Sequence, residues 1–435
     1  MEPVIPKDLP LGLPAPFWLL EFLLLLSFAL HILFVNLMLG GSLMVLITEI
    51  RGLRMPDWDR ISYEIAKTIT VNKSLAVVLG VAPLLSISVL YTMQFYTANA
   101  LTGHVWMLIV PLLIAAFLLS YAHKYSWDRL AHSKGVHLTF AGGATALFLF
   151  LPLIFLSNVN LMLYPEHWRS IGSFWDALTL ANVLPRYLHF LAASVALTGL
   201  FLAVYFGRER FFVSLELQSL RREQLVRSFY GIAFGSTLAQ FVLGPLLFLT
   251  LPAHTISTTL VVILTVAVLP LGGLAVWWLW REVQATSPGR RLISIVAALT
   301  AVISFMVYAR HDVRETALAP HRDLMKARTA EYLADVRAAQ DYLVMPGGLG
   351  GKPLSVGAQL FQRKCASCHA LDTRLVGPPL VEAARNYAGN PEGIILWALK
   401  PGRNRTDYPP MPAQEMARDD LLQIASHILK TTGNL

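Results

Sequence analysis

The chain of 435 residues is 55% hydrophobic and only 14% charged, whereas soluble domains carry about 25% charged residues; an ordinary soluble protein is excluded. The formal net charge of +8 does not signal nucleic acid. The basic residues sit in short segments between long apolar blocks, which is how charge encodes membrane topology. The two cysteines, Cys365 and Cys368, share one motif and leave no disulfide framework.

In chain order, the N-terminus lacks the basic region and small-residue cleavage site of a secretory signal, and its first apolar block reads as a retained span. Eight apolar segments are expected as spans, at about 17–48, 74–96, 104–124, 137–164, 184–207, 229–252, 257–280 and 292–309. Each can cross a hydrocarbon core of ~30 Å as a helix rising ~1.5 Å per residue. In lipid only a helix satisfies its backbone within one segment. Basic residues such as Arg51, Lys73, Arg129, Lys134, Arg221 and Arg291 collect in 49–73, 125–136, 208–228 and 281–291, and the opposite segments have only Lys7 and Arg169 as clear members. The positive-inside rule then predicts a multi-pass protein of a bacterial inner membrane with both termini on the periplasmic side. The expected fold is all-α: a polytopic helix bundle over 1–310, a helical linker over 311–353 that includes the Gly-rich hinge at 346–351, and a small soluble domain over 354–435.

That last domain carries the sharpest motif. Cys365-Ala366-Ser367-Cys368-His369 is the C-x-x-C-H pattern in which two thiols bind the porphyrin and the adjacent imidazole ligates the iron. Zinc or dithiol redox chemistry also uses C-x-x-C. The following histidine, the preceding Gly357–Phe361 segment and the Gly377-Pro378 loop favour covalent haem c. Met411, before a C-terminal helix predicted over 418–429, is the expected second axial ligand, with Met416 as competitor; a Met/His pair raises the potential. The pattern resembles class I cytochrome c over residues 354–435.

Histidines inside the spans argue that the first 310 residues are more than an anchor, since ionisable groups at that depth are costly and are functional candidates. His31 lies mid-span. His189 heads a face that continues through Ala192, Ala193, Ala196 and Gly199, a small-residue stripe that suits either a porphyrin or close helix packing. His104 and His254 are candidate partners opposite His189, whereas Glu21, Glu49, His123 and His137 are expected in ordinary span-end roles and His311 and His321 are assigned none. Phe28–His31 through Leu39-Gly40-Gly41 to Glu49, Trp127–Leu130, the segment around His189, Arg227–Phe229 and Tyr308-Ala309-Arg310 together resemble subunit I of cytochrome bd oxidase. The resemblance implies that His31 ligates a high-spin haem and His189 a low-spin haem b, and Arg310 is a candidate partner for haem propionates. Departures accompany it. The third span has no glutamate, Val307 replaces a glutamate ligand, the seventh span has no methionine, and only about four residues, 252–255, stand where a long quinol-binding loop is found.

A proton path to oxygen is hard to build without carboxylates, so these departures argue against oxygen reduction. The expected function is a membrane-bound b/c-type cytochrome. It passes electrons between a membrane donor, quinol or a second membrane subunit, and a periplasmic redox protein. A bd-like terminal oxidase fed by cytochrome c and a haem-free anchor for a cytochrome c module stand as alternatives.

Overall fold

The computed structural model describes residues 13–344, 355–403 and 407–435, so the hinge expected at 346–351 lies outside the described residues. The described residues form helices and loops with no strand, in two compact units, Met1–Ala327 and Arg328–Leu435. The all-α expectation holds: among the described residues eight helices are long and apolar enough to cross a membrane.

In the first unit, α1 is Phe17–Gly52, α2 Pro56–Leu90, α3 Thr92–Met107, α4 Ile109–Tyr125 and α5 Lys134–Leu163. A short α6, Phe174–Leu178, precedes α7, Val183–Gly207; α8 is Glu209–Val213 and α9 Arg222–Leu249. The seventh span comprises α10, Thr258–Val262, a π-helical stretch at Ile263–Val268 and α11, Leu269–Gln284. The last helix begun in this unit, α12, runs from Leu292 to Val344 and so continues past Ala327, where the unit ends.

Two expected boundaries move. The basic segment 49–73 is mostly helix, because α2 begins at Pro56, where proline fits the first turn of a helix and its missing N–H costs nothing. Lys73, counted among the loop basic residues, is instead fully buried, with its ammonium 3.5 Å from the Tyr121 ring centroid. The second span ends at Leu90 rather than 96; beyond Tyr91 the chain re-enters a helix that bends at Gly103, where φ is +56° and glycine meets no Cβ penalty.

Small residues set the helix crossings. A Cβ on Gly40 would lie 2.4 Å from the Ser194 carbonyl oxygen, and one on Gly199 would lie 2.8 Å from the Ala233 nitrogen. These contacts press α1 on α7 and α7 on α9 closer than any side chain allows. The Gly199 end of the small-residue stripe is therefore filled by a helix. A core of Met44, Ile61, Ile65, Leu202, Phe206, Phe229 and Leu279 fills the bundle near the expected inner side. Buried Asp57 accepts the backbone N–H groups of Gln218, Ser219 and Leu220, tying α2 to the turn before α9.

In the second unit, α13 is Val356–Lys364, α14 Leu380–Arg385, α15 Pro391–Leu399 and α16 Arg418–Thr431. Ser355 caps α13, its hydroxyl accepting from the Ala358 N–H. A Cβ on Gly357 would lie 2.0 Å from the Gln423 carbonyl oxygen, so glycine lets α13 cross α16 at backbone contact. The amphipathic α16 then buries Leu421, Ile424, Ala425, Ile428 and Leu429 against α13, α14 and α15.

Candidate functional site

The Cys365–His369 segment leaves the end of α13 as a tight turn. The Cys365 N–H bonds to the Phe361 carbonyl, and the N–H groups of Cys368 and His369 both reach the Cys365 carbonyl. Both cysteines are free thiols and half-buried. Burial, with Cys368 beside it, pushes the Cys365 thiol up, which keeps it from being a standing thiolate.

His369 is held by the loop that follows. Its Nδ1 lies 3.1 Å from the Pro378 carbonyl oxygen, and since a carbonyl only accepts, Nδ1 carries the proton. Nε2 is thereby left as the ligating nitrogen, the second-sphere arrangement usual for metal-bound imidazole. A Cβ on Gly377 would sit 2.3 Å from His369 Cε1, so only glycine lets the loop close over the ring. The Gly377 N–H bonds to the Cys368 carbonyl at 2.8 Å, which locks loop and motif together.

A preformed zinc site is not what these residues make. Among the described residues, three or more His, Cys, Asp or Glu ligand atoms converge only at Glu49–His123–His137 and at Glu21–His311–Glu315. Cys365, Cys368 and His369 are in neither group. Met411 and Met416 are both half-buried: Met411 packs on Ile395, Ala398, Leu421 and Ala425, and Met416 on that cluster and on the one that includes Cys365.

In the bundle, His31 Nδ1 lies 2.8 Å from the Ala76 carbonyl oxygen on α2, which again leaves Nε2 free to ligate. Its ring packs so closely on α2 that a Cβ on Gly80 would lie 2.8 Å from Cε1. His189, on α7, has a buried Nδ1 with no protein partner. Facing it on α9 are Gly244, whose added Cβ would come within 3.7 Å of the ring, and Gln240, which donates to the His189 carbonyl at 3.2 Å. Arg310 stacks 4.0 Å over the ring of Phe28, one turn before His31 on α1. Arg186, one turn before His189, and Arg314 lie within electrostatic reach of Arg310. Among the described residues none of these three arginines pairs with a carboxylate. His104 and His254 are exposed.

Two clusters escaped the sequence reading. Glu49, His123 and His137, expected in span-end roles, come together fully buried. Glu21, His311 and Glu315 meet half-buried, with the Tyr91 hydroxyl donating to Glu315 at 2.6 Å and Arg322 pairing with the same carboxylate. His311 and Glu315 share one face of α12 at i, i+4, but no periodicity links them to Glu21 on α1, nor Glu49, His123 and His137 to one another, since those three belong to three helices.

The cytochrome c family profile matches residues 354–432. Over 79 residues the chain is 32% identical to cytochrome c-551 of Pseudomonas denitrificans, covering 17% of this chain and 96% of that protein. It is 31% identical to cytochrome c-552 of Hydrogenobacter thermophilus over 90 residues, 20% of this chain and 92% of that protein. It is 34% identical to cytochrome c-551 of Stutzerimonas stutzeri over 93 residues, 20% of this chain and 89% of that protein.

Proposed function

Because the chain belongs to the cytochrome c family through its C-terminal domain, which transfers electrons by a covalent haem c, we propose that the whole molecule is a membrane-bound b/c-type cytochrome. It carries electrons between a membrane donor, quinol or a second membrane subunit, and a periplasmic redox protein. The observation that carries this reading is the pair of intramembrane histidines, His31 and His189. Each keeps a ring nitrogen without a protein partner inside an apolar bundle, where an unused imidazole is costly.

The residues divide the work. Cys365 and Cys368 would hold a haem c covalently, each through a thioether formed by net addition of its S–H across a vinyl group, which needs no oxidant. His369, oriented by Pro378, would offer its Nε2 to the iron, and Met411 would offer a thioether as the second ligand. Bound haem iron provides one-electron chemistry at a potential that the axial ligands set. In the bundle, His31 and His189 would hold haem b. Arg186, Arg310 and Arg314, which among the described residues have no carboxylate partner, offer the positive charge that propionates need, which supports the bd-like reading of these helices. The missing span carboxylates favour an electron conduit over an oxygen reductase.

The test is a pyridine haemochrome count on the purified full chain, followed by potentiometric titration. One haem c with at least one haem b per chain is expected, titrating as separate centres. Haem c alone in a fully loaded preparation would reduce the bundle to an anchor. For the sixth ligand, Met411→His is expected to lower the haem c potential by on the order of a few tenths of a volt, within the ~0.8 V that axial ligands span. Met416→Leu should leave that potential nearly unchanged, and the reverse result would transfer the ligand role to Met416.

A further inference from the structure

The geometry points to a binding site for one divalent transition-metal ion formed by Glu49, His123 and His137, at the ends of α1, α4 and α5. Each ligand comes from a different helix, and the three side chains are 0%, 3% and 0% exposed. Bulk water cannot solvate a charge there.

The hydrogen bonds show why the cluster calls for a cation. His137 Nε2 lies 2.8 Å from the His123 carbonyl oxygen. A carbonyl only accepts, so Nε2 carries a proton. In neutral imidazole Nδ1 is then a bare lone pair, and it faces Glu49 Oε1 in direct contact. Two acceptors cannot meet unless positive charge lies between them, either an added proton or a metal ion. His123 Nε2 faces the other carboxylate oxygen, Oε2, at 2.7 Å. One cation at this point therefore answers to both imidazoles and to the carboxylate.

Further features favour a metal. The His137 N–H held by a backbone carbonyl is the second-sphere bond that fixes a ligating ring. The nearest fixed cation, Lys134, lies 3.8 Å from Glu49 Oε1 but pairs with Asp59 at 2.6 Å, so its charge is already matched. A cavity of about 20 Å³ beside His123, lined by Ser42, Ser120 and Thr145 among others, has room for one water, which needs roughly 10–15 Å³. Two imidazoles and a carboxylate suit a borderline ion such as Zn²⁺ rather than Ca²⁺ or Mg²⁺, which prefer all-oxygen shells. At metal–ligand distances of roughly 2.0–2.1 Å a tetrahedral edge is about 3.4 Å. The contacts of both His123 and His137 with Glu49 must open on binding, while the ligand atoms already lie within 4.8 Å of one another. Such an ion would pin three helix ends together.

The test uses the full chain in detergent, stripped by a chelator, equilibrated with zinc chloride, desalted and measured for zinc and iron. The expected result is about one zinc per chain more in the wild type than in Glu49→Gln, with iron unchanged. Zinc should also raise the melting temperature of the wild type and not that of Glu49→Gln. If Glu49→Gln does not fold, His123→Gln supplies the same comparison. Glu315→Gln, at the other carboxylate–histidine cluster, should keep the zinc. Equal zinc in wild type and in a folded Glu49→Gln overturns the site and leaves a shared proton between Glu49 and His137. Loss of zinc in Glu315→Gln alone overturns it as well, by placing the metal at the other cluster.

Discussion

Replacing both Cys365 and Cys368 by alanine is expected to abolish covalent haem completely, so that in-gel haem staining after denaturation disappears while the chain remains in the membrane fraction. The chain has no other cysteine, so no alternative thioether can form. Each single variant should keep a fainter stain through its remaining sulfur. The double variant should also cost the domain its fold. A domain of this size rarely gains more than ~3–5 kcal/mol from its core alone. Here the core is two small clusters around α16, and Cys365 itself packs against one of them. Without the anchored ligand, residues 355–435 should become sensitive to protease while α1–α11 do not. Undiminished haem stain in the double variant would refute the attachment. Normal protease resistance without haem would show that the helices suffice.

Much of this was legible in the sequence, for identifiable reasons. Cys365, Cys368 and His369 are adjacent, so local spacing carries their chemistry. The eight long apolar helices among the described residues follow from hydropathy, because a run of that many apolar residues is legible whatever the tertiary packing. Helix ends were less legible: hydropathy registers where solvent changes and not where a helix stops, so α2 starts well before the apolar stretch that announced it. The role of Gly199 was undecidable, since a small residue admits a ring or a helix, and only the position of Ala233 on α9 settles it. The Glu49 cluster was invisible for a different reason. Its members are 74 and 88 positions apart, and nothing local to any of them reports the others.

His31→Ala and His189→Ala are each expected to lower the haem b content of the purified chain while haem c stays at one per chain, because haem c is attached in the other compact unit. The two variants differ in what they leave behind. In His31→Ala the Ala76 carbonyl loses the N–H that it accepts, but helix α2 can still close on the space beside Gly80. In His189→Ala the loss falls at a nitrogen that had no protein partner, so the protein sacrifices no hydrogen bond. That asymmetry separates ligand from packing residue. If the histidines only packed, His189→Ala would create a cavity costing on the order of 1–3 kcal/mol with the b-to-c ratio intact. If they ligate, the ratio falls whatever the change in melting temperature. Arg310→Gln then probes the same site from its charge: removing a cation beside haem b favours the ferric state, so the b midpoint potential should fall with the haem still bound. An unchanged potential would return Arg310 to its contact with Phe28, and an unchanged ratio in both histidine variants would remove His31 and His189 as ligands.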